Sequence, residues 1–397
     1  MNRANGDPIV LVSGVRTAVG RFGGALKDVD AHVLGAICIR EALARAEVDP
    51  DEVDEVVLGQ VGQVGPDAYN ARRAAMEAEI PPKATAMNVN RLCSSGLQAI
   101  VTGAQEIMVG QADVVVAGGN ESMSRQPFLD YHARSGWRLG SHELVDGTLS
   151  LVTDPFGRYP MGETAERVAE KYGVTREEQD RFAARSQEKA VRAIEEGRFD
   201  AEIVPVPVPK GEAFTRDEHP RAGVTVEDLG KLKPAFRAGG TVTAGNSSGI
   251  NDGAAAVVLM RSSEAERRGL TPRLRLVSWA VTGIEPEVMG YAPALAIPEA
   301  LSRAGLTLAD IDLVELNEAF AAQAVAVMRD AGLDEAKLNF SGGAIALGHP
   351  VGATGAILTV KLMHALERVG GRRGIVTMCI GGGQGMAAVF ERPDGAS

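Results

Sequence analysis

Residues 41–59, EALARAEVDPDEVDEVVLG, align without a gap to residues 299–317, EALSRAGLTLADIDLVELN. Both read as a helix with Ala and Leu on one face, a polar turn, and a short apolar strand. Downstream the two copies stay in step. CSSGLQAIVTGAQEIMVGQ followed by ADVVVAGG is matched by GATGAILTVKLMHALERVG followed by RGIVTMCIGGG. Alternating strands and helices imply an α/β fold, with parallel sheets covered by helices. A unit that occurs twice predicts two similar halves packed together; the alternative is chance similarity between two Ala-rich segments. The first half is expected over 1–119, completed by 250–270, and the second over 271–397. Between them, 120–249 differs in texture, with the polar and aromatic loop RQPFLDYHARSGWRLGSHE, two helical runs and the stretch EIVPVPVP. Proline at alternate positions suits an edge strand or extended arm. This region reads as an insertion lying over a binding cleft.

A chain of 397 residues can bury a large core and divides into more than one domain. Its formal net charge of −11 argues against a dedicated nucleic-acid or anionic-membrane binder. A local basic patch could still receive an anionic substrate. No stretch is long and apolar enough to span a bilayer, and the opening MNRANGDPIVLVSGVRT lacks a leader-like pattern, so a cytoplasmic enzyme is expected. Cys38, Cys93 and Cys379 are odd in number and far apart, which suggests neither a disulfide framework nor a metal site.

Four residues could carry chemistry. Cys93 precedes a helix expected to begin near Ser94, along which Leu97, Ile100, Val101, Ala104 and Ile107 recur at helical spacing. Unpaired N–H groups and the positive end of the dipole would favour its thiolate and lower its pKa; the competing reading is a buried structural cysteine. Asn317 opens NEAF after the strand DLVEL, where it could cap the next helix or hold a substrate oxygen. His349 lies in GGAIALGHPVGATG, on a tight turn from which an imidazole can act as base or donor, or simply pack. That glycine spacing is not the dinucleotide-binding pattern, and Arg372 and Arg373 stand where a ribose-binding acid would be expected. Cys379 ends GIVTMCI and is followed by Gly381, Gly382 and Gly383 and another strand. Strand-end cysteines are often inert, yet the C-terminal end of a strand in an α/β sheet faces the usual ligand crevice.

Taken together, the chain resembles the thiolase family over nearly its whole length. The resemblance rests on RTAVGRFGG (16–24), NRLCSSGLQA (90–99), GGNESMS (118–124), MGETAE (161–166), TVTAGNSSGINDGAAA (241–256), NEAFAAQA (317–324), GGAIALGHPVGATGA (342–356) and CIGGGQG (379–385). It implies two βαβαβαββ halves with an inserted loop domain. It implies an acyltransferase that cleaves 3-oxoacyl-CoA with CoA, reversibly, through an acyl group on Cys93. His349 and Cys379 would share the proton transfers and Asn317 would support them. The N–H groups of Cys93 and Gly381 would form one oxyanion hole, and His349 with a water on Asn317 the other. Arg221 would lie near the adenine of CoA and Ser248 near its pantetheine, with Phe236, Met289, Ala319 and Met161 lining the channel. CoA and acyl-CoA are then substrates, with no metal or redox cofactor, and the assembly is a homodimer or homotetramer. Pro160 departs from the histidine usual in acetoacetyl-CoA-specialised members, and Asp228 from a serine, which leaves acyl-chain length open. Two other readings remain: a decarboxylating ketoacyl synthase, which would not want a second catalytic cysteine, and a non-catalytic acyl-CoA or lipid binder, which would have lost one of the four residues.

Overall fold

A computed structural model describes residues 6–209 and 211–393; the leader reading of MNRAN, and Lys210 and the last four residues of the expected domains, lie outside the described residues. In the first half, strands β1 (Ile9–Thr17), β2 (Glu55–Gly59), β3 (Thr85–Val89) and β4 (Val115–Ser122) alternate with helices α1 (Ala31–Arg45), α2 (Asn70–Glu77) and α3 (Ser95–Val109). The inserted segment carries α4 (Met161–Tyr172) and α5 (Arg176–Glu195), after which β5 (Asn251–Arg261) returns to the sheet. The second half holds β6 (Leu274–Gly283), α6 (Pro293–Ala304), β7 (Leu313–Leu316) and α7 (Ala321–Asp330). It continues through the one-turn α8 (Ala344–Leu347), α9 (Thr354–Val369), β8 (Arg373–Ile380) and β9 (Gln384–Glu391).

The strand order explains the repeat. From one edge the path runs β3-β2-β4-β5-β1, and from the other β7-β8-β9-β6, so β2, β4, β5 and β1 correspond to β7, β8, β9 and β6. The two aligned segments are therefore the end of α1 with β2, and the end of α6 with β7. In each half a parallel pair (β2 with β4, β7 with β8) is followed by antiparallel neighbours. The counterpart of β3 has shrunk to one parallel bridge between Val314 and Leu338. The halves join where β1 meets β6, at Val10 with Arg275 and Leu11 with Leu274. All nine residues of β1 are buried, as expected for a strand covered on both faces.

Between the halves, α3 packs on α9. Leu97, Ile100, Val101, Ala104 and Ile107 of α3 are buried, each large apolar side chain contributing about 1.5–3 kcal/mol. The approach is close because glycines meet there. A Cβ on Gly96 would lie 2.8 Å from Ala356 N, and one on Gly355 would lie 2.3 Å from Leu97 N. Both helices stop at a left-handed glycine, Gly110 (φ 78°) and Gly370 (φ 64°), which satisfies the last carbonyls. Their N-terminal turns thus converge on one place.

The insertion is anchored by a buried cation. The proline-punctuated stretch forms only a two-residue strand, Ile203–Val204, parallel to Arg16–Thr17 of β1. Arg16, 1% exposed, bonds Glu202 Oε1 through Nε (2.7 Å) and grips Asp217 with both terminal nitrogens (2.8 and 3.0 Å). Its guanidinium also lies 4.8 Å from the Phe199 ring centroid. Arg16→Met is expected to leave two buried carboxylates without their cation and cost about 3–5 kcal/mol. The denaturant midpoint measures this, and a loss under about 1 kcal/mol would mean that the network contributes nothing beyond packing.

Candidate active site

Cys93 lies on the single turn Leu92–Ser94 that links β3 to α3, and part of its surface stays open. Helix α3 begins at Ser95, close to the expected start. The backbone N–H groups of Gly381 and of Cys93 itself are directed at the sulfur, and both pull its pKa down. Burial outweighs them, so the net shift is upward and the expected helix-terminus lowering does not carry the balance. Cys379 is fully buried near the end of β8. Burial first, then the proximity of Cys93, pushes its thiol far above the ordinary range. The two sulfurs are therefore neighbours in one low-dielectric site. By contrast Cys38, buried in α1 and pushed up to about 12 by burial, packs in the core of the first half.

Gly381, Gly382 and Gly383 make the turn from β8 to β9, with φ of 83° and 88° at the last two, a shape that glycine adopts without strain. As expected they link strands and do not open a helix. A Cβ on Gly381 would stand 3.0 Å from the Met161 methyl, which places that methionine over the Cys93–Gly381 pair.

His349 follows α8 on a buried turn. Thr354 Oγ1 donates its only proton to Pro350 O (2.9 Å), so at 2.6 Å it must accept from His349 Nδ1–H. That leaves the Nε2 lone pair facing Asn317 Nδ2, which donates to it at 3.4 Å. The turn itself is held by His349 N donating to Asn251 Oδ1 (2.9 Å). Burial lowers the imidazole pKa to about 4, so the ring is neutral at physiological pH, with Nε2 able to take a proton.

Asn317 directly follows β7 and is not the helix cap that its position suggested. Helix α7 starts at Ala321, with Phe320 at the cap position. Asn317 instead continues the sheet, its N–H donating to Thr377 O (2.9 Å) two residues before Cys379. Its side-chain Oδ1 is buried and has no protein partner, which frees it for a water or substrate oxygen.

The expected channel residues gather near this centre. Met289, Ala319 and Cys379 belong to one apolar cluster, with Met161 packed against it. Phe236 meets Phe320 edge to face, centroids 6.0 Å apart, and Ser248 N donates to Ala319 O (2.9 Å). Arg221 lies further out. Its N–H donates to Gln187 Oε1 (2.9 Å), and Gln187 Nε2 donates to Ile345 O (3.3 Å) near the His349 turn. Its side chain lines a groove of about 720 Å³ against α5, shared with Arg181, Arg185 and Arg192. Glu188 and Glu195 line the same groove, and Arg181 and Arg185 are paired with Glu177 and Glu335, so its positive excess is small. Pro160 sits just before α4 and Asp228 caps its own short helix with Thr225. Thr354, Asn251 and Glu121 were not found from sequence. Only Glu121 left a signal, as a charged residue in a strand that is buried throughout. Among the described residues no His, Cys, Asp or Glu cluster could hold a metal ion, and no helix is long and apolar enough to cross a membrane.

Two neighbouring thiols, a neutral imidazole with an unprotonated Nε2, paired N–H donors and a buried unpaired amide oxygen define an acyl-transfer site. Residues 9–263 match the family described as thiolase, N-terminal domain, and residues 270–392 match thiolase, C-terminal domain. The chain belongs to the thiolase family. It is 55% identical over 390 residues to beta-ketothiolase BktB of Cupriavidus necator, covering 97% of this chain and 99% of that one. The crystal structure of the Bacillus anthracis acetyl-CoA acetyltransferase superposes with a TM-score of 0.96 at 46% identity, covering 98% of this chain and 99% of the other. Human mitochondrial 3-ketoacyl-CoA thiolase in complex with CoA gives a TM-score of 0.94 at 42% identity, covering 98% of each.

Proposed function

We propose that this chain cleaves 3-oxoacyl-CoA with CoA to give acetyl-CoA and a shortened acyl-CoA, and runs the Claisen condensation in reverse. The observation that carries the reading is the pair of neighbouring thiols beside a neutral His349 whose Nε2 carries no proton. Cys93 loses its proton to His349 Nε2 and attacks the 3-keto carbon, while the Cys93 and Gly381 N–H groups receive the developing oxyanion. Each separate pKa disfavours this transfer. The transfer, however, creates two opposite charges together, and the pair is the reacting unit. The C2–C3 bond then breaks, its electrons moving to the thioester oxygen as an enolate. His349 Nε2–H and a water on Asn317 Oδ1 stabilise that enolate, and Cys379 protonates C2. The incoming CoA thiol gives its proton to the Cys379 thiolate and takes the acyl group from Cys93. His349 then returns its proton to Cys93.

Met161, Met289, Ala319 and Phe236 would line the pantetheine channel, Ser248 would lie beside it, and Arg221 in its groove against α5 would face the adenine end. CoA is a substrate here, and no resident cofactor or metal takes part in the proposed reaction. A cytoplasmic homodimer or homotetramer accompanies the reading. All three cysteines are free, and a two-thiol mechanism requires a reducing compartment. Incubation with acetoacetyl-CoA and CoA, followed by loss of the 3-oxo thioester absorbance, tests the activity. Turnover is expected with both substrates and none without CoA. Absence of turnover across a series of 3-oxoacyl chain lengths would refute the reading.

A further inference from the structure

The turn that carries His349 is held at three backbone N–H groups by side chains from outside it. Ile345 N donates to Glu318 Oε2 (3.2 Å), His349 N to Asn251 Oδ1 (2.9 Å), and Gly352 N to Glu121 Oε2 (3.0 Å). Glu121 closes β4 in the first half, and Gly352 belongs to the second. The same carboxylate also accepts Val61 N (2.9 Å) and Gly62 N (3.1 Å) from the chain just past β2. It is 0% exposed, and among the described residues no cation compensates it. Its partners are three amides, and burial raises its pKa to about 7.

A carboxylate without a counter-charge at such a place costs several kcal/mol of desolvation, which its three N–H donors offset only in part. The fit around it is close. A Cβ on Gly352 would fall 2.6 Å from Glu121 Oε2 and 2.7 Å from Gln60 Cα, so the turn approaches as nearly as a glycine permits. Gly352 lies between Pro350, whose carbonyl takes the Thr354 hydroxyl proton, and Thr354, whose oxygen accepts His349 Nδ1–H. The position of Gly352 therefore sets the direction of the imidazole.

We propose that Glu121 is a positioning residue for the reaction: its carboxylate locks the His349 turn against the first half and so aims Nε2 at the Cys93 side of the site. The inference rests on the thiolase reading but concerns only the geometry of one of its two centres. The test is Glu121→Gln in the full chain. The amide keeps the shape but turns an NH₂ donor toward one of three N–H donors. kcat for thiolysis is expected to fall about 100-fold, the scale of a displaced catalytic group. KM for CoA should stay within about threefold, and alkylation of Cys93 by iodoacetamide within about twofold at a pH high enough to form the thiolate without His349, because Cys93 rides on a different loop. If Glu121→Gln does not fold, Glu121→Asp keeps the charge one methylene short and should show an intermediate kcat with the same KM. Wild-type kcat in a folded variant overturns the role, as does a parallel loss of kcat and Cys93 alkylation. A wild-type chain without turnover would instead strike at the thiolase reading itself.

Discussion

Cys93→Ala is expected to lose thiolysis and condensation by a factor on the order of 10⁵, with the fold intact. Removing a covalent nucleophile leaves only binding and the oxyanion donors, and losses of that size accompany it. The protein should also lose the acetyl group that acetyl-CoA transfers to it, read by intact mass. A second measurement separates the sulfur's environment from its role. Burial holds the Cys93 pKa above its ordinary value despite two N–H groups aimed at the sulfur. In the free enzyme, iodoacetamide alkylation should therefore rise with pH later than for an ordinary thiol, since the thiolate reacts. An alkylation profile with a midpoint below the ordinary thiol range would show a standing thiolate and remove His349 from the activation step. Residual turnover in Cys93→Ala within tenfold of wild type would remove Cys93 as nucleophile.

That upward shift is one of two places where local reasoning from the sequence failed, and both failures have the same cause. A cysteine before a helix invites a low pKa, and an asparagine before an apolar helical run invites a cap. In the structure the solvent-poor cleft around Cys93 costs its charge more than the N–H donors return. At Asn317 the sheet competes with the helix. Asn317 N goes to Thr377 O, Ala321 N goes to Asn246 O, and α7 does not begin until Ala321. Both outcomes depend on segments distant in sequence, which a local pattern does not contain.

What was legible was periodic or repeated. The buried stripe of α3, the glycine turn between β8 and β9 and the twofold arrangement of strands all follow from spacing along the chain. The two aligned segments predicted that β2 and β7 would take equivalent places, and they do. The long-range bonds that orient the site carried no such pattern. Asn251 reaches His349 across 98 positions and Glu121 reaches Gly352 across 231. Thr354 stands five residues from His349, yet nothing in the spacing says that its hydroxyl proton is committed to Pro350. That commitment fixes the imidazole tautomer, and with it which nitrogen is the base.

Cys379→Ser is expected to divide the reaction in two. In acetyl transfer from acetyl-CoA to Cys93, Cys379 only returns a proton to a CoA thiolate that can leave without one, so this step should stay within about tenfold of wild type. Formation of acetoacetyl-CoA needs C2 deprotonated and should fall about 10³- to 10⁴-fold, the range of general acid–base catalysis. A hydroxyl fills nearly the same buried space but cannot ionise as a thiol does. The order of steps follows from the environment. Burial holds Cys379 protonated in the free enzyme, and a thiolate at Cys93 would raise its pKa further. It is thus a ready proton donor for the enolate released in thiolysis. Once Cys93 carries an acyl group it can no longer become a thiolate, so no second negative sulfur competes with Cys379. Cys379 is then the one thiol left to act at the acyl-enzyme stage, where condensation needs a base for C2 of the second acetyl-CoA. Exchange of the acetyl-CoA methyl protons with solvent should therefore need an acylated Cys93 and vanish in Cys379→Ser. Exchange that persists in the variant, or equal loss of acylation and condensation, would reduce Cys379 to a packing residue.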